Sequence, residues 1–248
     1  MKKIEYIQIL LLLVANITFG QSNFMITEKN GLFGVIDANG MQIVKPKYDK
    51  IEDFGKEREK WAKVFLEGKV GFIDATGYEV ISLKYSSIGS FDAVNGKWTE
   101  ISVDGKFGFI DNQGREVLEP IYDRIDNFGE MRKDWALVVL DGKFGFIDSD
   151  GIMLVTPTYD VISPFDEYRK GWALVKAGDF YGFIDNNTGR EVVPVKYREI
   201  EKFDVRKKNW ALVKYNSLYG FIDNNGKIVV PPSFESIIPI EDLNKNKE

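Results

Sequence analysis

Gly145-Phe146-Ile147-Asp148 is one copy of a four-residue phrase that this chain of 248 residues carries six times. Successive copies are separated by 37, 37, 37, 37 and 38 residues. The other copies are Gly34-Val35-Ile36-Asp37, Gly71-Phe72-Ile73-Asp74, Gly108-Phe109-Ile110-Asp111, Gly182-Phe183-Ile184-Asp185 and Gly220-Phe221-Ile222-Asp223. A fixed period of this size is typical of stacked supersecondary units. A side chain that recurs in every unit is therefore expected to build the unit.

The fourth unit shows how each repeat is predicted to fold. Residues 135–140 are apolar and rich in β-formers, so they predict a strand that is covered on both faces. Asp141-Gly142 predicts a hairpin, because a type I′ turn needs positive φ at both central positions. Residues 143–148 form the second predicted strand, in which Gly145 indicates a bulge or a close backbone neighbour.

The second half of the unit predicts another turn and two further extended segments. Asp148 is expected to cap backbone N–H groups in the turn, where Gly151 supplies a left-handed conformation. A third strand is predicted over 152–156, ended by Pro157, and a short fourth strand or extended segment over 159–165. Each unit is thus predicted to be an antiparallel β-meander, which buries its apolar face only when units stack.

The predicted fold class is all-β, with six tandem antiparallel β-meander repeats of about 37 residues. One arrangement stacks the repeats as an open, curved β-superhelix with distinct end units. The alternative is a closed six-bladed β-propeller with four strands per blade. The short period and the atypical first and last units favour the open superhelix.

The N-terminus predicts an export signal. Lys2 and Lys3 precede an apolar run over residues 7–19, and Gly20-Gln21 follows as a cleavage point, which is typical of a secretory signal peptide over residues 1–20. The run is too short for a comfortable membrane span. No cysteine follows the cleavage point, so a secreted or periplasmic protein is expected rather than a lipoprotein.

The mature chain is predicted to be one repeat domain over residues 21–240, followed by a disordered C-terminal tail over 241–248. The units are expected at about 24–60, 61–97, 98–134, 135–171, 172–209 and 210–240.

Composition narrows the classes of function. The net charge of −5 lacks the basic footprint of a nucleic-acid binder. The chain has neither cysteine nor histidine, which excludes disulfides, Cys/His zinc sites and imidazole catalysis. Carboxylates recur in every unit instead of forming one unique cluster, so neither an enzyme nor a cofactor is expected.

Every tryptophan lies at one phase of the repeat, where the first unit carries Phe24. Neighbours such as Ala136 and Val138 favour a buried strand. Exposed rings at the same positions would instead form a ligand-binding platform, on which sugars could stack. The five candidates for that platform are Trp61, Trp98, Trp135, Trp172 and Trp210.

The polar segment before each tryptophan carries basic residues that stacking would align into a stripe. Such a stripe could attract an anionic cell-envelope polymer. Acidic residues lie among the basic ones, so a solvated loop of mixed charge is the alternative. The candidate residues are Arg132, Lys133, Arg169, Lys170, Arg206, Lys207 and Lys208.

The six aspartates that end the repeated phrase have two interpretations. Calcium would require several oxygens that converge on one point. One Asp per unit, followed closely by Gly, fits a turn cap better. No metal site is therefore predicted.

The unit resembles the bacterial WG repeat, a β-rich repeat named for its Trp and Gly. The matching residues in the fourth unit are Trp135-Ala136-Leu137-Val138, Gly142-Lys143, Phe144-Gly145-Phe146-Ile147-Asp148, Gly151 and Pro157-Thr158-Tyr159-Asp160. The resemblance covers about residues 24–240 and implies a secreted or surface protein used for binding or scaffolding, with no catalytic residues.

The expected function is therefore an exported, non-catalytic scaffold for a protein partner. The alternative is binding of carbohydrate or another cell-envelope polymer through exposed aromatic rows. No membrane span is expected after the signal has been cleaved.

Overall fold

The computed structural model describes residues 24–238, which form 23 strands in six antiparallel sheets. The predicted all-β class and the six repeats are confirmed. Residues 24–238 contain no helix, so this range holds none that is long and apolar enough to cross a membrane. The predicted signal peptide over 1–20 and the predicted tail over 241–248 lie outside the described residues.

The sheets follow one another along the chain, and we name them A to F. Sheet A contains β1 (Phe24–Lys29), β2 (Leu32–Asp37) and β3 (Gln42–Tyr48). Sheet B contains β4 (Lys50–Ile51), β5 (Trp61–Leu66), β6 (Lys69–Asp74) and β7 (Glu79–Tyr85). Sheet C contains β8 (Ser87–Ile88), β9 (Trp98–Val103), β10 (Lys106–Asp111) and β11 (Glu116–Tyr122).

The last three sheets repeat this arrangement. Sheet D contains β12 (Arg124–Ile125), β13 (Trp135–Leu140), β14 (Lys143–Asp148) and β15 (Met153–Tyr159). Sheet E contains β16 (Val161–Ile162), β17 (Trp172–Ala177), β18 (Phe180–Asp185) and β19 (Glu191–Tyr197). Sheet F contains β20 (Glu199–Ile200), β21 (Trp210–Tyr215), β22 (Leu218–Asp223) and β23 (Ile228–Phe234).

The first hairpin of each unit forms where the sequence predicts it. Asp141 and Gly142 both have positive φ, at 51° and 73°, as a type I′ turn requires. Their turn joins β13 to β14 in continuous register from Leu140 opposite Lys143 to Trp135 opposite Asp148. β13 is buried along nearly its whole length, which confirms the prediction of a strand covered on both faces.

The two-residue strands belong to a different sheet from the one expected. The sequence predicts that the fourth strand completes its own unit, but β16 pairs with β17 of the next sheet. Only Asp160 separates β15 from β16. One residue is too few for a hairpin turn, so the chain passes directly from one sheet into the next. The sheets therefore straddle the units that the tryptophans mark.

The third strand is longer than predicted and contains a bulge in which three residues lie opposite one. β15 continues through Pro157 to Tyr159, and residues 156–158 lie opposite the single residue Gly145. Pro157 is accommodated because β15 is an edge strand of sheet D. A Cβ atom at Gly145 would lie 2.3 Å from the carbonyl oxygen of Val155. The bulge therefore requires glycine, and it lies within one sheet.

The apolar core is divided into five clusters, and each cluster lies between two consecutive sheets. We call the surface of a sheet that packs on the next sheet its back face, and the opposite surface its front face. Between sheets D and E, Phe146, Val155 and Tyr159 form the back face, and they pack on Ala173 and Val175 of the front face. Neither sheet could bury these side chains alone.

We expect Gly145→Ala to destabilise the chain by about 3 kcal/mol or more, because the new methyl group would collide with backbone atoms that cannot move independently. Gly142→Ala is the matched control. Its Cβ would meet nothing within 4 Å, so only the left-handed backbone costs about 1 kcal/mol. Urea unfolding of both variants measures the difference, and equal losses would contradict the bulge argument.

Candidate binding surface

The tryptophans pack mainly inside the array. Trp98, Trp135 and Trp172 are buried, whereas Trp61 and Trp210 are partly buried. The Trp135 ring lies 5.4 Å from the Phe146 ring and meets Phe165 of the next sheet edge-on at 5.8 Å, measured between ring centroids. A sugar-stacking platform requires exposed ring faces. The structure therefore favours the core interpretation of this row over the platform.

Two arginines of the predicted basic stripe form hydrogen bonds to the following sheet. Arg132 in sheet D donates from Nε to the carbonyl oxygen of Asn186 in sheet E at 2.7 Å. Arg169 in sheet E donates in the same way to Asn224 in sheet F at 2.8 Å. The Nε–H group of each arginine thus bonds within the protein, and both side chains are only partly exposed.

The remaining members of the stripe are exposed or locally paired. Arg206 forms an ion pair with Glu201 and donates to the carbonyl oxygen of Ile237 at 2.8 Å. Lys207 lies over the Trp210 ring, 3.6 Å from its centroid. Lys133, Lys170 and Lys208 are exposed. Polymer binding by the stripe therefore stays a prediction.

All six aspartates of the repeated phrase cap the turn that follows them, which confirms that interpretation. Asp111 accepts hydrogen bonds from the N–H groups of Gln113 and Arg115 at 2.8 and 3.0 Å. Asp37, Asp74, Asp148, Asp185 and Asp223 accept equivalent bonds in their own turns. Across residues 24–238 no group of three or more acidic side chains is placed to hold a metal ion.

The Asp111 carboxylate is stabilised in its charged form. Burial raises the pKa of Asp111. The hydrogen bonds from the N–H groups of Arg115 and Gln113 and from the Arg115 side chain lower this pKa, and together their effect is larger than that of burial. The resulting pKa lies below the usual value for aspartate. The turn is therefore most stable when the carboxylate is ionised.

One exposed position recurs at the end of each of these turns, directly after the turn glycine. We call its six residues the turn row. Met41, Tyr78 and Ile152 are 66%, 69% and 60% exposed, although all three are large and apolar. Basic residues occupy the other three sheets and are also exposed. The turn row consists of Met41, Tyr78, Arg115, Ile152, Arg190 and Lys227.

The backbone of the turn row is held rigidly. The N–H group of Tyr78 donates to the Asp74 side chain at 3.1 Å, and its carbonyl oxygen accepts from the Asp74 N–H group at 2.9 Å. Ile152 makes the same two bonds with Asp148, each at 2.9 Å. Each turn thus presents one exposed side chain on a fixed backbone, outside the packed interior.

A model of the WG containing repeat matches six segments, over residues 33–69, 71–106, 107–144, 144–179, 181–219 and 219–242. The chain belongs to the WG repeat family. The resemblance of the fourth unit to this repeat is thereby confirmed for all six units. No curated protein matches the chain.

Several solved structures share a distant likeness with these WG repeats. BamB from Moraxella catarrhalis is 13% identical over 87% of this chain and 75% of that one, with a TM-score of 0.24. AztD from Citrobacter koseri is 13% identical over 86% and 71%, with a TM-score of 0.28. Hsv2 from Kluyveromyces lactis is 9% identical over 88% and 81%, with a TM-score of 0.25.

For the tryptophan of the WG repeat, we expect Trp135→Ala to destabilise the chain by about 3–5 kcal/mol, because it empties a site between two phenylalanine rings. Trp210→Ala should cost less, since Trp210 is only partly buried. Chemical unfolding measures both. If Trp135→Ala lowers the free energy of unfolding by less than about 1 kcal/mol, the result would support the platform interpretation instead.

The turn caps of the WG repeats predict acid sensitivity. Because the folded pKa of Asp111 is lowered, its ionised form stabilises the fold above about pH 4, and this contribution disappears as the pH falls through the folded pKa. Asp111→Asn should therefore lower the urea midpoint of unfolding at pH 7. The difference from the midpoint of the natural chain should shrink as the pH falls toward 2. A difference that stays constant across this range would contradict the argument.

Proposed function

We propose that this WG-repeat chain is an exported, non-catalytic scaffold that binds a protein partner through its turn row. The observation that carries the proposal is an exposed large side chain at the same phase of all six sheets, whose backbone carbonyl oxygen accepts a hydrogen bond from the N–H group of the Asp that begins the turn. These side chains contribute little to the five buried clusters. These large, exposed side chains are therefore available to contact a partner.

The chemistry of the turn row suits a protein surface. Tyrosine and arginine are enriched among the residues that dominate binding energies at protein interfaces, and Tyr78 and Arg115 occupy consecutive sheets. A fixed backbone lowers the entropy that binding must remove. An array of such positions can therefore bind a partner over an extended surface without a deep pocket.

The charges of the turn row indicate the character of that partner. Met41 and Tyr78 make the end of the row in sheets A and B apolar, whereas Arg190 and Lys227 make the end in sheets E and F basic. Opposite charges steer encounter and fix register. The proposed partner surface is apolar at one end and carries carboxylates at the other.

The scaffold is proposed to be an open, curved superhelix rather than a closed ring. Met25 on the front face of sheet A and Phe234 on the back face of sheet F are each 50% exposed. Their counterparts inside the array, such as Ala173 and Tyr159, are buried between sheets. A ring would bring the two terminal faces together and cover both side chains.

Export as a secreted or periplasmic protein is supported by the sequence at residues 1–21, where an apolar run follows two lysines. Non-catalytic action is supported by the aspartates, which serve as turn caps in every unit. N-terminal mass spectrometry of the protein recovered from its host tests the export step, and a chain that keeps residue 1 would contradict it.

Site-specific photocrosslinking in cells tests the turn row. A photoreactive residue at position 78 should give a discrete protein adduct. The same residue at position 161 should not, because Val161 is also exposed but pairs with Lys176 beside the β17–β18 hairpin, at the end of the sheet opposite to the turn row. Adding Met41→Ala and Ile152→Ala should reduce the adduct by about tenfold or more.

Three results would contradict the proposal. They are adducts of equal yield from positions 78 and 161, no adduct at either position, and an adduct that the two alanine substitutions leave unchanged. Binding of the purified chain to a glycan array, lost in Trp61→Ala, would support the carbohydrate-binding alternative instead.

A further inference from the structure

The first sheet of the array lacks a strand that every other sheet contains. Sheets B to F each begin with a two-residue strand that pairs with the strand carrying tryptophan. In sheet B, Ile51 lies opposite Val64. Sheet A consists of β1, β2 and β3 only, so the corresponding edge of β1 carries no fourth strand within residues 24–238.

The missing segment is present in the sequence, but at the other end of the chain. Each two-residue strand starts two residues after a third strand ends, and its second residue is always isoleucine. Ser236-Ile237 follows β23 at the same offset and lies in no sheet of the described chain. The six isoleucines are Ile51, Ile88, Ile125, Ile162, Ile200 and Ile237. Six sheets and six such segments thus match in number.

Ser236-Ile237 already lies where the short strand of a following sheet would lie. Between sheets E and F, the side chains of Leu174 and Tyr181 line a depression together with Glu199-Ile200. At the end of sheet F, Leu212 and Tyr219 line the equivalent depression together with Ser236-Ile237.

A hydrogen bond also holds this segment. Arg206 donates to the carbonyl oxygen of Ile237 at 2.8 Å. The segment is therefore placed on sheet F ready to pair with a further β1-like strand.

Both terminal faces are apolar, and no sheet within residues 24–238 covers them. Phe234 is 50% exposed, although the tyrosine at the same place in sheets A to E is at most 7% exposed. Met25 is 50% exposed, whereas its counterparts Ala62, Ala136 and Ala173 are fully buried. Stacked repeats that end in water usually carry a polar outer surface on the terminal unit. These two ends instead resemble the two halves of an internal interface.

The turn glycines show the same complementarity. A Cβ at Gly77 would lie 2.8 Å from Val44 of the preceding sheet, and one at Gly189 would lie 2.5 Å from Val155. A Cβ at Gly40 would meet nothing within 4 Å. Val230 of sheet F occupies the position of Val44 and Val155, and within residues 24–238 no further turn follows to contact it. Gly40 and Val230 are thus the two unused sides of one contact.

We propose that the chain assembles head to tail, with sheet A of one copy stacked on sheet F of another, and that Ser236-Ile237 completes sheet A as its fourth strand. The register of the internal sheets places Ile237 opposite Thr27 and Ser236 opposite Glu28. This inference rests on the open array proposed above. A second copy is the occupant because the chain itself builds this interface five times between its own sheets.

The junction would bury no unpartnered charge at its centre. Inside the array, Tyr85 donates to Glu116 and Tyr159 donates to Glu191 of the following sheet. At the junction, Phe234 has no hydroxyl group, and Gln42 occupies the position of those glutamates. Met25 is larger than the alanine it replaces, but its flexible side chain adapts to irregular space.

Because the natural chain has no cysteine, an engineered pair tests the register directly. Residues directly opposite on antiparallel strands have Cβ atoms about 5 Å apart, which a small adjustment brings within reach of a disulfide. The purified chain with Thr27→Cys and Ile237→Cys should give a ladder of disulfide-linked multimers under oxidation. Either single variant should give at most a dimer. The internal pair Ile51→Cys and Val64→Cys should crosslink within one chain and shows that the chemistry works.

The products separate the possible occupants. A monomer in which positions 27 and 237 are linked within one chain would show ring closure and overturn both this inference and the open array. No crosslink between 27 and 237, while the internal control reacts, would overturn head-to-tail assembly alone. Both crosslinking results are obtained with the purified chain, so they do not depend on whether the turn row binds a protein partner.

Sedimentation of the natural sequence gives a second test. The weight-average mass should rise with concentration beyond that of a dimer, because a head-to-tail contact leaves each end open for another copy. Phe234→Lys should keep the circular dichroism spectrum and yield monomers at all concentrations. Ile121→Lys is the matched control, since lysine occupies that position in sheets A, B and E, and it should assemble normally. A natural chain that stays monomeric would overturn the inference.

Discussion

The structure depends on the packing of one sheet's back face on the next sheet's front face. The front faces of sheets B, D, E and F carry an alanine that is fully buried beneath the aromatic residues of the preceding sheet, as Ala173 is beneath Phe146 and Tyr159. Packed sheets lie about 10 Å apart, so a small residue at this place lets the large rings fill the space. Each cluster of the core is shared by two consecutive sheets, and none of the five lies within a single sheet. Stability is therefore a property of the interfaces rather than of the repeats.

Local signals explain what the sequence predicts well. The Asp141-Gly142 hairpin and the Asp148 turn cap depend on residues within four positions of each other. The short strand and the bulge depend on pairing that local patterns do not show. A proline within a strand pattern normally indicates its end, but Pro157 lies on an edge strand in a bulge that only the glycine opposite makes possible. The sequence predicts a close neighbour for Gly145 but does not show that this neighbour is the segment around Pro157.

The features of the candidate binding surface also depend on contacts that local sequence patterns do not show. Whether Trp135 is core or platform depends on Phe165, which lies 30 residues later and in another sheet, so the sequence alone left both interpretations open. The sequence does not predict the turn row, for a different reason. Its members, such as Met41, Tyr78 and Arg115, share exposure and phase but not chemical type. The residues that are identical in every unit build the repeat, whereas the fold leaves free those positions whose residues differ from unit to unit.

The division of stability among interfaces also links the two proposals. An array whose internal contacts are all head to tail has no natural last unit unless an end is made polar, and neither Met25 nor Phe234 provides that. Continuing the same contact into a second copy would extend the turn row with its existing period. A partner that engages several turns would then gain from effective concentration rather than from stronger single contacts. In such a scaffold, the residues that stack the sheets set the spacing at which the exposed residues recognise a partner.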